Sequence, residues 1–346
     1  MKTFQLRNTR PESGERGSDE DRYSVSACPA CESIQIGAPI ERYTAEHAAA
    51  HFCPPWRNAD RYERLRQSIT KLWGGNTCVI RQCSACGFAF GDPFVGGDEE
   101  FYSILHEQHG YPAWRWDYDF AFREVLALFP QGRLLEIGAG EGVFLKHLGP
   151  QWKAFAVEAS DTTRALLQQN GISVFPNLGE ATRCHAASFD VVAMFQVLEH
   201  IASFHEVLKL CHALLRPGGQ LIVTVPTCEA MLLQPKITGE HDMPPNHINK
   251  FTTRSLDIAM RIAGFCVLQT TNEPWSLGKI SSSLYGRVHA DAVDPGTFAA
   301  KVYRLQNRKL RIPFLAIAGA LSIPRLLPFW RHLGTGGAFG MIAERQ

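Results

Sequence analysis

Apolar positions between residues 132 and 273 fall in short, nearly unbroken runs, "LLEI" from Leu134, "WKAFAV", "FDVVAMF" and "QLIVTV", each separated from the next by a stretch of helical spacing or a Gly/Pro stop. Runs of this length, closed by turn residues, predict strands buried on both faces. Their alternation with helical segments predicts an α/β fold, a parallel sheet covered by helices on both sides. Residues 117–129, "DYDFAFREVLALF", predict an amphipathic helix leading into the first core strand, and "SFDVVAMFQVLEHI" predicts the third parallel strand. A sixth strand, "GFCVLQTTNE", is followed by sixty residues, 274–333, before a terminal strand, "GAFGMIAERQ".

The rest of the chain divides by composition. Residues 1–24 mix charges with Ser and Gly and carry few apolar side chains, so disorder is expected there. Residues 25–115 form a cysteine-bearing module that leaves through the Gly/Pro-rich "FGDPFVGGDEEFYSIL". The core takes 116–273, a helical insertion 274–333, and the last strand 334–346. At 346 residues and 45% apolar, the chain can bury a full core and a second, smaller module. A net charge of +1 gives no overall electrostatic footprint for nucleic acid, and none is expected as partner. The N-terminus has no apolar leader and no uncharged apolar run reaches the length of a span, so the expected location is cytoplasmic. In that compartment ten cysteines are thiols or metal ligands.

The chemistry begins at "LLEIGAGEGVFLKHL". Gly138, Gly140 and Gly142 alternate after the strand, and Val143, Phe144, Leu145 and Leu148 continue with helical spacing, which places the glycines at a strand-to-helix turn that a ligand can approach closely. A dinucleotide turn wants a glycine at 143, where this chain has Val. Glu136, two residues before the first glycine, is a poor neighbour for a diphosphate and a good one for an ammonium group. Glu158 ends the next strand, where a carboxylate can accept both ribose hydroxyls.

These residues, with Leu198-Glu199-His200 at a strand end and "LLRPGGQLIVTVP" after it, resemble the motifs of the class I S-adenosylmethionine-dependent methyltransferases, in that family's order and spacing. The resemblance implies a Rossmann-like seven-stranded sheet and S-adenosylmethionine as cofactor. It assigns Glu136, Gly138, Ala139, Gly140, Gly142, Glu158, Ala159, Asn177 and Gln196 to the cofactor. The sixty residues before the last strand depart from the family's short hairpin. Two rival readings stand beside this one: a non-catalytic cofactor-binding scaffold, and an NAD-type oxidoreductase, which Glu136 and Val143 disfavour.

"CPAC" at 28–31 and "CSACGF" at 83–88 are two knuckles able to give one zinc four thiolates, Cys28, Cys31, Cys83 and Cys86. The span between them is far longer than in a compact zinc ribbon, and it contains His47, His51 and Cys53, any of which could replace a knuckle cysteine. Sugar-methylating members of the family carry a similar zinc module, which points to a nucleotide sugar or lipid-linked glycan as acceptor. A closed four-thiolate site would be structural. In "GEHDMPPNHINKF", His247 is the candidate general base, with His200 a second catalytic candidate and His241–Asp242 a further dyad. Thr252 or Thr253 caps the helix that follows. Finally, Lys301, Arg304, Arg308, Lys309 and Arg311 precede an apolar run from Ile312 to Pro324, so 301–333 is expected to give weak peripheral membrane or diphosphate contact.

Overall fold

The computed structural model describes residues 25–108, 114–126, 129, 131–238 and 242–346; the tail 1–24 and His241 lie outside them. The N-terminal module supplies β1 (Glu41–Thr44), β2 (Thr77–Gln82) and β3 (Ala89–Asp92). The core supplies β4 (Gly132–Ile137), β5 (Trp152–Val157), β6 (Ser173–Phe175), β7 (Phe189–Phe195) and β8 (Leu215–Pro226). After these come β9 (Asn249–Lys250), β10 (Phe265–Asn272) and β11 (Ala338–Arg345).

Seven strands form the main sheet in the order β10-β11-β8-β7-β4-β5-β6. The five from β4 to β8 run parallel, and β11 inserts antiparallel between β10 and β8. Alternate residues of a central strand feed opposite faces. Leu135 and Ile137 of β4 pack with Val192, Met194, Leu221 and Val223, whereas Leu134 packs with Ala156, Val191, Ala193 and Ile222. Strand order reverses between β4 and β7, so the chains leaving those two strands diverge there and open a crevice beyond their C-terminal ends.

Three sequence expectations change in detail. "SFDVVAMF" is the fourth parallel strand, because the short β6 intervenes; three residues of "SVF" are too few to show a period. The glycine turn leads into a single 3-10 turn, Leu145–His147, where a longer helix was expected. The segment from Trp116 is helical to Ala121 and widens into a π-turn over Phe122–Leu126.

The cysteine module is not self-contained. Its sheet runs β1-β2-β3-β9, and β9 comes from the core loop after β8, pairing Asn249 with Phe90 and Lys250 with Ala89. Cys28, Cys83 and Cys86 pack in the same apolar cluster as Phe204 and Leu208 of the core. The insertion is helical, with helices Leu277–Asp291, Phe298–Tyr303 and Arg308–Leu326. It is fixed to the N-terminal module through Trp56, whose indole donates to the Ala292 carbonyl at 3.1 Å and lies under the Arg304 guanidinium at 5.0 Å.

Asn249 ties these parts together. Its fully buried amide donates to the carbonyls of Leu198 at 2.8 Å and Ile201 at 2.7 Å. Replacing Asn249 by Ala strands the buried Ile201 carbonyl and leaves the Leu198 carbonyl only the Ile201 amide at 3.3 Å. Urea unfolding of Asn249→Ala is therefore expected to show a loss of about 1–3 kcal/mol, and an unchanged midpoint would refute this role.

Candidate active site

The glycine turn sits at the crevice. Gly138, Gly140 and Gly142 all take positive φ, 73°, 52° and 73°. A Cβ on Gly138 would stand 2.8 Å from a Val197 methyl, and one on Gly142 2.5 Å from a Leu167 methyl. The turn is braced from β5: Glu158, only 1% exposed, accepts from the Gly140 amide at 3.1 Å and from the Ser160 amide at 2.9 Å. Each carboxylate oxygen keeps a further lone pair for a ribose hydroxyl.

Glu136 is buried at the end of β4, and among the described residues its Oε2 has no hydrogen-bond partner. Burial pushes its pKa well above the usual carboxylate range, and the Arg115 guanidinium pulls it back. Arg115 lies 3.3 Å from Asp117, which is 1% exposed and raised by the same desolvation. An orphaned buried carboxylate beside a single guanidinium fits the zwitterionic amino-acid end of S-adenosylmethionine, an ammonium against Glu136 and a carboxylate against Arg115.

A cavity of about 640 Å³ opens here, walled by Gly138, Ala139, Gly140 and Gln196 on one side and by Tyr102, His106, His200 and Asn246 on the other. Arg115 also lines it. Glu136, Gly142, Glu158 and Ala159 lie behind that wall. Asn177 is spent as an N-cap, accepting from the Glu180 amide at 2.9 Å.

On the far wall, His200 Nδ1 is 2.8 Å from the Asn246 carbonyl. His247 lies next to it but outside the cavity lining: its Nδ1 is 2.6 Å from the Asp242 carboxylate, and the two imidazole rings are 4.6 Å apart. The Asn246 carbonyl and the Asp242 carboxylate are acceptors only, so each takes its bond from a protonated Nδ1. Burial, with the neighbouring His247, depresses the His200 pKa to about 3 and keeps it neutral. Glu199, 1% exposed, is pushed up to about 7 by burial, against the pull of His247. Ligand atoms of Glu199, His200 and His247 lie within 4.8 Å of one another, close enough to seat a divalent cation.

The second constellation is the cysteine cluster. Cys28–Cys86 and Cys31–Cys83 sulfurs are each 3.7 Å apart, and all four lie within 4.8 Å. Tetrahedral zinc with Zn–S near 2.3 Å sets S···S at about 3.8 Å, so the cluster fits the ion. His47, His51 and Cys53 are not in it, and His51 lines the main cavity instead.

Arg115, Asp117, Tyr102 and Asn246 were not legible in the sequence. Arg115-x-Asp117 was a surface-like charge pair at the start of a helix until the fold turned it inward.

Residues 113–270 match the family model described as a methyltransferase domain. The seven-stranded sheet has the class I methyltransferase fold. This domain is similar to two curated ubiquinone biosynthesis O-methyltransferases. One, from Caulobacter sp. (strain K31), is 38% identical over 101 residues, 26% of this chain and 39% of that protein. The other, from Actinobacillus pleuropneumoniae serotype 5b (strain L20), is 25% identical over 115 residues, 30% of this chain and 49% of that protein. The chain thus spans half or less of these relatives' length. Among solved structures, a SAM-dependent methyltransferase from Archaeoglobus fulgidus superposes with a TM-score of 0.44 at 14% identity, covering 71% of this chain and 100% of that one.

The methyltransferase domain's turn gives a direct test. Gly140→Val forces a β-branched residue into positive φ, and Glu158→Ala removes the carboxylate that braces the turn. Each is expected to weaken S-adenosylhomocysteine binding by calorimetry at least ~30-fold, about 2 kcal/mol, with circular dichroism unchanged. Wild-type affinity in both variants would overturn the cofactor assignment.

Proposed function

We propose that the protein transfers the methyl group of S-adenosylmethionine to a hydroxyl of a small-molecule acceptor. The observation that carries this reading is one cavity walled by the glycine turn on one side and by His200 and Asn246 on the other. When bound, the cofactor supplies an electrophilic methyl on a sulfonium. Glu136 and Arg115 hold its amino-acid end, Glu158 its ribose, and the cavity walls hold the acceptor in line, where positioning supplies much of the acceleration. His200, neutral and fixed on the Asn246 carbonyl, lines the cavity and shapes the acceptor's seat. His247, oriented by Asp242 and adjacent to His200, is the base that would accept the hydroxyl proton released as the methyl carbon exchanged its C–S bond for the new C–O bond.

Acceptor class divides into two readings. His51, His106, Asn246 and His289 make the outer wall polar, which suits a hydroxyl-rich acceptor such as a nucleotide sugar or lipid-linked glycan. The curated relatives' names favour a phenolic hydroxyl of a quinone precursor. Labelled cofactor incubated with nucleotide sugars, lipid-linked glycans and catechols separates them. No turnover on any of these, with S-adenosylhomocysteine still bound, would favour the non-catalytic scaffold.

With a competent acceptor, His247→Ala is expected to lower kcat by about 10²–10⁴ while S-adenosylhomocysteine affinity stays at the wild-type value. A His247→Ala enzyme of undiminished kcat would remove His247 from the mechanism.

For the cysteine cluster the reading is a structural zinc held by Cys28, Cys31, Cys83 and Cys86, with no open position for chemistry. Metal analysis of protein purified without chelator is expected to give about one zinc per chain. Cys83→Ser should lower both the zinc content and the melting temperature, and metal-free wild-type protein would refute the site.

A further inference from the structure

The insertion's longest helix, Arg308–Leu326, is attached to the fold by a narrow stripe. Ala318, Ser322 and Leu326, spaced i, i+4, i+8, are 5%, 5% and 2% exposed. Bulky apolar side chains point elsewhere: Ile312, Ile317, Leu321 and Leu327 are 57%, 48%, 67% and 59% exposed, and Trp330 just beyond is 64% exposed. Lys309–Phe329 is the single described stretch long and apolar enough to match a bilayer's thickness. A core helix of that composition would be mostly buried. Apolar exposure this continuous marks a surface that meets something else.

Charge decides what. From Pro295 to Ala343 the chain has seven Lys or Arg and no Asp or Glu. A second copy of this chain docking through a two-fold axis would set this basic segment against itself. A span is excluded by the fold, because Arg325 at the helix end pairs with Asp291 at 3.1 Å and β11 returns to the main sheet directly afterwards. We infer that the Arg308–Leu326 helix and Trp330 form a membrane-docking surface that lies in the headgroup region of an anionic phospholipid bilayer, with Lys309 and Arg311 on phosphates and the apolar face among the acyl chains. The same insertion supplies His289 to the wall of the main cavity.

Sedimentation of the full chain with vesicles tests this without any turnover. Binding to phosphatidylglycerol-rich vesicles is expected to be at least about tenfold tighter than to phosphatidylcholine vesicles and to weaken as salt is raised. Leu321→Glu, a change at an exposed position, should abolish it, and Lys309→Glu with Arg311→Glu should reduce binding to the phosphatidylcholine level. The charge-reversal pair carries the test if the first variant does not fold. Equal binding to both vesicle types, no binding, or a wild-type dimer by light scattering that Leu321→Glu dissociates would each overturn the inference.

Discussion

Everything near the crevice hangs on the seven residues from Asn246 to Thr252. Asn249 holds the turn that follows β7 through two carbonyls, while the Ile248 amide donates to the Glu199 carbonyl at 3.0 Å. Asn249 and Lys250 close the N-terminal sheet, and the Thr252 hydroxyl donates to the Cys86 carbonyl at 2.9 Å. Lys250 is 2% exposed, and its ammonium donates to the Asp242 carbonyl at 2.6 Å. That bond fixes the backbone of the residue whose carboxylate orients His247. One short segment thus sets the distance between the cysteine module, the β7 turn and the imidazole pair.

The crevice is also where the fold tolerates what it avoids elsewhere. Glu136, Asp117 and Glu199 are buried carboxylates gathered about one guanidinium, and desolvation raises all three. Such a concentration of uncompensated acid costs stability in the empty protein. A ligand bringing its own positive charge would offset that cost. The imidazole pair is the opposite case, with both Nδ1 atoms held by acceptors.

Features confined to one stretch of sequence were legible before the fold was known. The glycine turn, Glu158 and the two cysteine knuckles each announce themselves through local spacing, and the apolar runs mark the long parallel strands, though not the short β6 or the order of the sheet. What spacing could not show is pairing across distance. β9 is two residues long and meets a strand some 160 positions earlier, too short for any periodicity to register. Tyr102 reaches His200 at 3.2 Å only because Asn249 holds the β7 turn beneath it. Asn246 contributes a carbonyl, which its side-chain identity does not encode. The insertion's helices were readable from composition, whereas its narrow attachment at Ala318, Ser322 and Leu326 required the packing itself.

The borrowed strand has a consequence for how the chain is made. Residues 41–92 leave the ribosome long before Asn249 and Lys250 exist, so β3 emerges with one edge unpaired and with Phe88 and Phe90 lacking the Phe204 and Phe251 neighbours that later enclose them. An open apolar edge is a template for wrong partners. The amino-terminal knuckles therefore wait, during synthesis, for the carboxy-terminal half to deliver their last strand, and an excised amino-terminal fragment is a different object from the module inside the whole protein.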